Sequence, residues 1–205
     1  MDHLARFREL RERPIVVIDT ETTGLPWHSW ANVVELAAVV LAPDGSEASF
    51  FSSLARPPTI PPRADVALKI NGLTRAQIFN ARPVADVAAD YAAWLRGAVD
   101  PDALLTSYNV DFDRDMVGRM SPGLDLGEWG PCIMVASMGI MGPAGKLLPA
   151  DPTHPRYRLE LPWLFPKLVD VASYFDIATA EPAHRALSDA RTAAGVLHRI
   201  RSTTS

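Results

Sequence analysis

A chain of 205 residues, 48% apolar and 21% charged, has the length of one ordinary globular domain and enough apolar surface for a core, which excludes a disordered protein. Its formal net charge of −4 argues against a non-specific nucleic-acid coater. It leaves room for an enzyme that touches nucleic acid locally and holds metal with carboxylates. The single cysteine, Cys132, excludes an internal disulfide framework and a cysteine-rich zinc site.

The first thirteen residues mix Arg6, Arg8, Arg11 and Arg13 with Asp2, Glu9 and Glu12, and no apolar stretch follows. This is not the pattern of a signal peptide. No apolar run approaches the roughly 18 residues of a membrane helix, and residues 132–141, the best candidate, contain Gly139. These features point to the cytoplasm.

Ile15-Val16-Val17-Ile18 reads as a strand buried on both faces. Residues 33–41 form a second strand, ended by the turn Pro43-Asp44-Gly45, and residues 47–54 a third, so these two make a hairpin. Pro57, Pro58, Pro61 and Pro62 dictate an extended loop. The segment 56–82 also carries Arg56, Arg63, Lys69, Arg75 and Arg82 against Asp65 alone. That is either a solvated face or a basic contact surface. Val84, Val87, Ala88, Tyr91, Trp94 and Leu95 fall on one helical stripe. A short strand at 103–107 precedes a helix at 110–120, and residues 132–136 read as a fifth strand. Helices at 161–175 and 185–200 close the chain, after an irregular proline-rich insertion at about 142–162. The pattern predicts one α/β domain over 1–205, with its core at about 14–201 and helices on both faces of a mixed sheet.

Three clusters carry chemistry. The first strand runs into Asp19-Thr20-Glu21-Thr22-Thr23-Gly24, and residues i and i+2 on a strand face the same side. Asp19 and Glu21 therefore present two carboxylates to one point, a pair that takes up a proton or binds a cation. Gly24 permits a sharp turn. The second cluster, Asn109-Val110-Asp111-Phe112-Asp113, opens a helix with Asn109 in the capping place. Asp111, Asp113 and Asp115 step by about 200°, so spacing alone does not choose which one faces the first pair. The third is His184-Arg185-Ala186-Leu187-Ser188-Asp189-Ala190. On one helix His184 and Asp189 would lie about 140° apart, and they converge only if His184 sits in the loop before it.

Asp19-x-Glu21, Asn109-x-x-Phe112-Asp113 and His184-x-Ala186-Leu187-x-Asp189-Ala190, in that order, resemble the three motifs of the DEDDh, or DnaQ-like, 3′–5′ exonucleases. Ile70-Asn71-Gly72-Leu73-Thr74 is similar to a turn of that family, and Val34-Glu35-Leu36-Ala37 to its second strand. The resemblance spans nearly the whole chain and implies a ribonuclease H-like fold, a five-stranded mixed sheet flanked by helices. It implies a metal-dependent 3′–5′ exonuclease that releases nucleoside 5′-monophosphates from single-stranded DNA or RNA 3′ ends, with DNA favoured and exoribonuclease or oligoribonuclease-type RNA trimming as the alternative. The expected cofactors are two divalent cations, Mg²⁺ or Mn²⁺, whose charge balances four acids. Asp19, Glu21, Asp113 and Asp189 would be the ligands, and His184 the general base that takes a proton from the attacking water. An imidazole ordinarily gains its proton near pH 6.5, so activity is expected to fall below that. Thr22, Thr23, Gly24, Leu25, Asn71, Gly72, Leu73 and Asn109 would hold the terminal nucleotides, with Leu25 or Leu73 wedged against the last base. Trp27 and Trp30, in a loop that departs from the family pattern, are further stacking candidates. A reading from another class is a catalytically silent nucleic-acid-binding module, which would be expected to lack one or more of these acids.

Overall fold

The structure is a computed structural model that describes residues 2–123, 127–159, 161–179 and 184–203. Glu181 and Pro182, expected to lead His184 into its helix, lie outside the described residues. The chain runs through helix α1 (His3–Glu9), strands β1 (Ile15–Thr22), β2 (Val33–Leu41) and β3 (Glu47–Arg56), and helices α2 (Asp65–Ile70) and α3 (Arg75–Asn80). Strand β4 (Arg82–Pro83), helix α4 (Val84–Ala98), strand β5 (Leu104–Ser107) and helices α5 (Val110–Met120), α6 (Ile133–Met141), α7 (Leu168–Tyr174) and α8 (Ala186–Ser202) follow. The strands make one mixed sheet in the order β4-β3-β2-β1-β5. β1 is antiparallel to β2 and parallel to β5, and β3 is antiparallel to β2 and parallel to β4.

Strand parity divides the core. Ile15 and Val17 of β1, with Val39 and Leu41 of β2, pack under α1, α6 and α8. Val16 and Ile18, with Leu36, Ala38 and Val40, pack under α4 and α5. Both faces are therefore covered, and the four residues from Ile15 to Ile18 are wholly buried. The β2–β3 hairpin closes as expected: the Ala42 N–H donates to the Ser46 carbonyl, and Gly45 takes the left-handed conformation at φ 90°.

Six elements differ from the sequence expectation. Residues 132–136 begin the helix α6 rather than a strand, and the fifth strand is instead the two-residue Arg82–Pro83. Short apolar runs do not distinguish a buried strand from a buried helix. The helix expected at 161–175 is confined to Leu168–Tyr174, because Pro162 and Pro166 interrupt it. Helices α2 and α3 occupy the basic segment, and Gly72 ends α2 at φ 65° while the Leu73 N–H reaches back to the Leu68 carbonyl. Helix α1, which sequence reading passed over, starts where the Asp2 carboxylate accepts from the Ala5 N–H at 3.1 Å. It is tied down by Arg201, whose Nη2 donates to the carbonyls of Leu10 and Arg13 at 2.9 Å each. Among the described residues of 142–162 no helix or strand forms, apart from the isolated bridge between Pro149 and Trp163.

Phe7 is fully buried and anchors α1 to the α8 side of the sheet. Phe7→Ala should cost about 3–4 kcal/mol. At about 2–4 °C per kcal/mol, thermal unfolding followed by circular dichroism should show a Tm lowered by roughly 10 °C.

Candidate active site

β1 ends on the pair that its parity prescribes. Asp19 and Glu21 follow Ile15 and Val17 onto the α8 face, and the first turn of α8 brings Asp189 to them. One carboxylate oxygen from each of Asp19, Glu21 and Asp189 lies within 4.8 Å of the others. Asp113 reaches the strand end from the opposite face. It is 3% exposed, and Thr20, between the two acids of β1, donates to its Oδ1 at 2.8 Å. Asp111 and Asp115 are instead paired with Arg114 and Arg119 on the outside of α5. The structure thus chooses among the three aspartates that spacing left open. His184 is exposed, in the bend just before α8, with a left-handed φ of 58°.

Burial raises every acid of the group, and neighbouring charge adds to it at Asp19, Glu21 and Asp189. Burial first, then the charges of Asp113, Glu21, Asp189 and Glu35, push the Asp19 carboxyl well above the usual carboxylate range. Burial, followed by Asp189, Glu35 and Asp113, raises Glu21 to about 8. Burial raises Asp113 to about 7 against the hydrogen bonds from Thr20 and Ser107. Asp189 is also raised by burial, opposed by the charge and the backbone N–H of His184. The donors are carboxylate oxygens, which suit a hard divalent cation such as Mg²⁺ or Mn²⁺. The site residues therefore fit the expected metal chemistry.

Beside the acids lies a groove of about 400 Å³, which Glu21 borders. Thr22, Thr23, Gly24, Leu25 and Asn71 also line it. Leu25 is 45% exposed, whereas Leu73 is 4% exposed in a cluster with Val34, Leu68 and Ile78. Leu73 is core and cannot serve as the wedge. Gly72 and Asn109 do not line the groove. Asn109 stands at the head of α5 without a side-chain capping bond. Asn71 is buried and donates from Nδ2 to the Thr22 carbonyl at 3.1 Å, tying the turn to the end of β1.

Sequence reading missed Val66 and Ile70, which line the groove and are 71% and 60% exposed. Their i, i+4 spacing on α2 was the available signal. It also missed the use made of Arg63, which lies over the Trp30 ring at 4.8 Å. His28 stacks on Trp30 at 4.6 Å, so Trp30 is packed rather than an open platform, while Trp27 is 69% exposed. Trp163 packs against Gly142. The rest of the basic segment is mostly occupied: Arg75 pairs with Asp65, Arg82 with Asp90, and Arg56 donates to the Phe79 carbonyl.

Comparison with known proteins decides the family. The exonuclease family model RNase_T matches residues 16–118, half of the chain. The chain belongs to the DnaQ-like exonuclease family. The matched stretch holds the first two acidic clusters; His184 and Asp189 lie beyond it. A Mycobacterium tuberculosis protein named as a bifunctional exonuclease/endonuclease is 29% identical over 199 residues, 93% of this chain and 27% of that protein. The PolC-type DNA polymerase III of Bacillus subtilis is 32% identical over 109 residues, 53% of this chain and 7% of the polymerase. The chain therefore spans about a quarter or less of these relatives. Among solved structures, E. coli exonuclease I in complex with a dT13 oligonucleotide superposes with a TM-score of 0.64 at 18% identity, over 93% of this chain and 41% of that one. The nuclease domain of the DEDDh family member 3′hExo, bound to rAMP, gives 0.64 at 15% identity over 92% and 91%. These likenesses establish the ribonuclease H-like fold. Among the described residues, no helix is long and apolar enough to cross a membrane.

Two outcomes follow. Native carboxyls raised to about 7 and 8 hold protons that the unfolded chain releases near pH 4, so the stability of metal-free protein should fall as pH rises between about 4 and 8. Asp19→Asn should raise Tm in chelator at pH 8 by about 2–6 °C, and added Mn²⁺ should stabilise the wild type more than this variant. A Cβ at Gly24 would lie 2.6 Å from the Trp30 ring. Gly24→Ala should therefore displace that ring, cost about 1–3 kcal/mol and alter the tryptophan emission spectrum.

Proposed function

We propose that this chain is a metal-dependent 3′–5′ exonuclease that releases nucleoside 5′-monophosphates from single-stranded ends, with DNA preferred to RNA. The observation that carries the reading is the meeting of Asp19, Glu21 and Asp189 oxygens within 4.8 Å, beside an apolar groove that Glu21 borders. Membership of the exonuclease family and the likeness to a complex with dT13 support it. The 32% identity to a DNA polymerase favours DNA.

In this reading Asp19, Glu21 and Asp189 hold divalent cations, and Asp113 supports the site from the other face of the sheet. Bound cations supply positive charge that neutralises the acids and stabilises the charge developing on the phosphate oxygens. His184, exposed at the head of α8, accepts the proton of the attacking water. Leu25, Val66 and Ile70 offer apolar contact to the last base, which is tolerant of sequence. Arg63, above Trp30, adds positive charge to the same groove.

The test uses 5′-labelled single-stranded DNA, duplex DNA and RNA, each with Mg²⁺ or Mn²⁺. Single-stranded DNA should shorten as a ladder from the 3′ end, duplex more slowly, and Asp19→Ala should abolish the ladder. His184→Ala should keep Mn²⁺ binding and lose about 10²–10⁴-fold in kcat. Equal cleavage by Asp19→Ala would refute the assignment of the site; faster cleavage of RNA would reverse the substrate order.

A further inference from the structure

Glu35 is 3% exposed, on an otherwise apolar strand, and stands directly opposite Glu21 in the β1–β2 register. It does not belong to the group of three oxygens. Its carboxylate is spent elsewhere. Arg185 donates from Nε to Oε2 at 2.9 Å and from Nη2 to Oε1 at 2.7 Å, a bidentate pair. The Ala186 N–H, first of α8, donates to Oε2 at 3.2 Å.

We infer that the Glu35–Arg185 clamp is a positioning device, which sets the first turn of α8, and with it His184 and Asp189, against Asp19 and Glu21. The inference rests on the exonuclease reading of the site. Three features carry it. First, α8 has no side-chain cap of its own: Arg185 occupies the capping position with extended backbone and no capping bond. The carboxylate from β2 takes that duty for an orphan amide. Second, the clamp sits between two residues that must be placed well. His184 precedes Arg185 and keeps a left-handed φ of 58°, which a side chain with a Cβ rarely adopts unless its surroundings hold it there. Asp189 lies on the first turns of the helix that the clamp anchors, and its carboxylate meets the His184 backbone N–H. Third, the placement is costly. Glu35 adds the repulsion of a further acid to Asp19, Glu21 and Asp189, which the charge of Arg185 opposes at Glu21. A buried pair is weak as a source of stability compared with apolar residues of the same volume, and its gain here is geometric.

The experiment compares wild type, Glu35→Gln, Arg185→Lys and Arg185→Met in the full chain. Four quantities are read: Tm, Mn²⁺ affinity by calorimetry without substrate, amide exchange of Ala186 by NMR, and kcat and KM on single-stranded DNA. Arg185→Met should lower kcat about 10²-fold with KM within about threefold, weaken Mn²⁺ about tenfold and speed Ala186 exchange. Arg185→Lys and Glu35→Gln, which keep part of the bonding, should fall between, and they decide the matter should Arg185→Met fail to fold. A lowered Tm with Mn²⁺ affinity and kcat of the folded protein unchanged would overturn the inference, leaving a purely structural pair. A raised KM with kcat intact would also overturn it, because Arg185 would then be holding substrate phosphate. A wild type without nuclease activity would refute the exonuclease reading alone, since Mn²⁺ affinity and Ala186 exchange would still decide for or against the clamp.

Discussion

Acids of one sign crowded at the end of a buried strand are the constraint on which the rest of the structure depends. Asp19, Glu21 and Asp189 repel one another at less than 5 Å, and Asp113 adds its charge through the sheet. Repulsion of this kind would scatter flexible side chains into water. It is resisted because β1 has no freedom to move. Its first four residues, Ile15 to Ile18, are wholly buried, and it is hydrogen-bonded to β2 on one side and β5 on the other. The register slips just after Glu21, so the strand bends where its carboxylates leave the core. The apolar strand supplies rigidity, and the acids are placed at the one end where rigidity meets solvent.

Parity explains why the acids divide as they do. Odd residues of β1 face α8 and even residues face α5. Asp189 can therefore join Asp19 and Glu21 directly, while Asp113 meets Thr20 and approaches from behind. A carboxylate held by a threonine hydroxyl is less free to turn than one in water. One oxygen of the Asp113 carboxylate is therefore committed to Thr20. The two helices that carry Asp113 and Asp189 are themselves fixed at long range. α8 is held by Glu35 at its head and, at its tail, by Arg201 bonded to the carbonyls that follow α1.

Legibility from sequence follows the same physics. Asp19 and Glu21 were readable because a period of two is unambiguous once a strand is assigned. Asp113 was not readable by period, since three aspartates alternate around α5; burial chooses it, and burial depends on how α5 docks. His184 before the helix followed from angular arithmetic. The error at 132–136 came from an apolar run without period, which fits a strand or a buried helix equally. Helices α2 and α3, six residues each, offer no periodicity beyond a single i, i+4 pair such as Val66 and Ile70, and α3 is held by the Thr74–Gln77 capping box. Glu35 was visible as a lone acid in an apolar strand, yet its partner lies 150 residues away. No local pattern carries that pairing.

The loop from Gly24 to Ala31 shows how such long-range pinning reaches the groove. Trp30 lies against the Gly24 backbone, with His28 stacked on one side and Arg63 over the ring. The His28 ring nitrogen accepts from the Leu25 N–H at 3.2 Å. Arg119, on the same helix as Asp113, donates to the carbonyls of His28 and Pro26 while paired with Asp115. One helix thus fixes both the acid behind the strand and the loop in front of it. Movement of α5 would displace Asp113 and the wall of the groove together. A groove whose wall is braced in this way does not have to be ordered by its ligand, which removes one of the entropic costs of binding. Leu25, Val66 and Ile70 present exposed apolar surface along that groove beside the acids, and alignment of a reacting bond there, as the proposed function has it, would gain from such bracing.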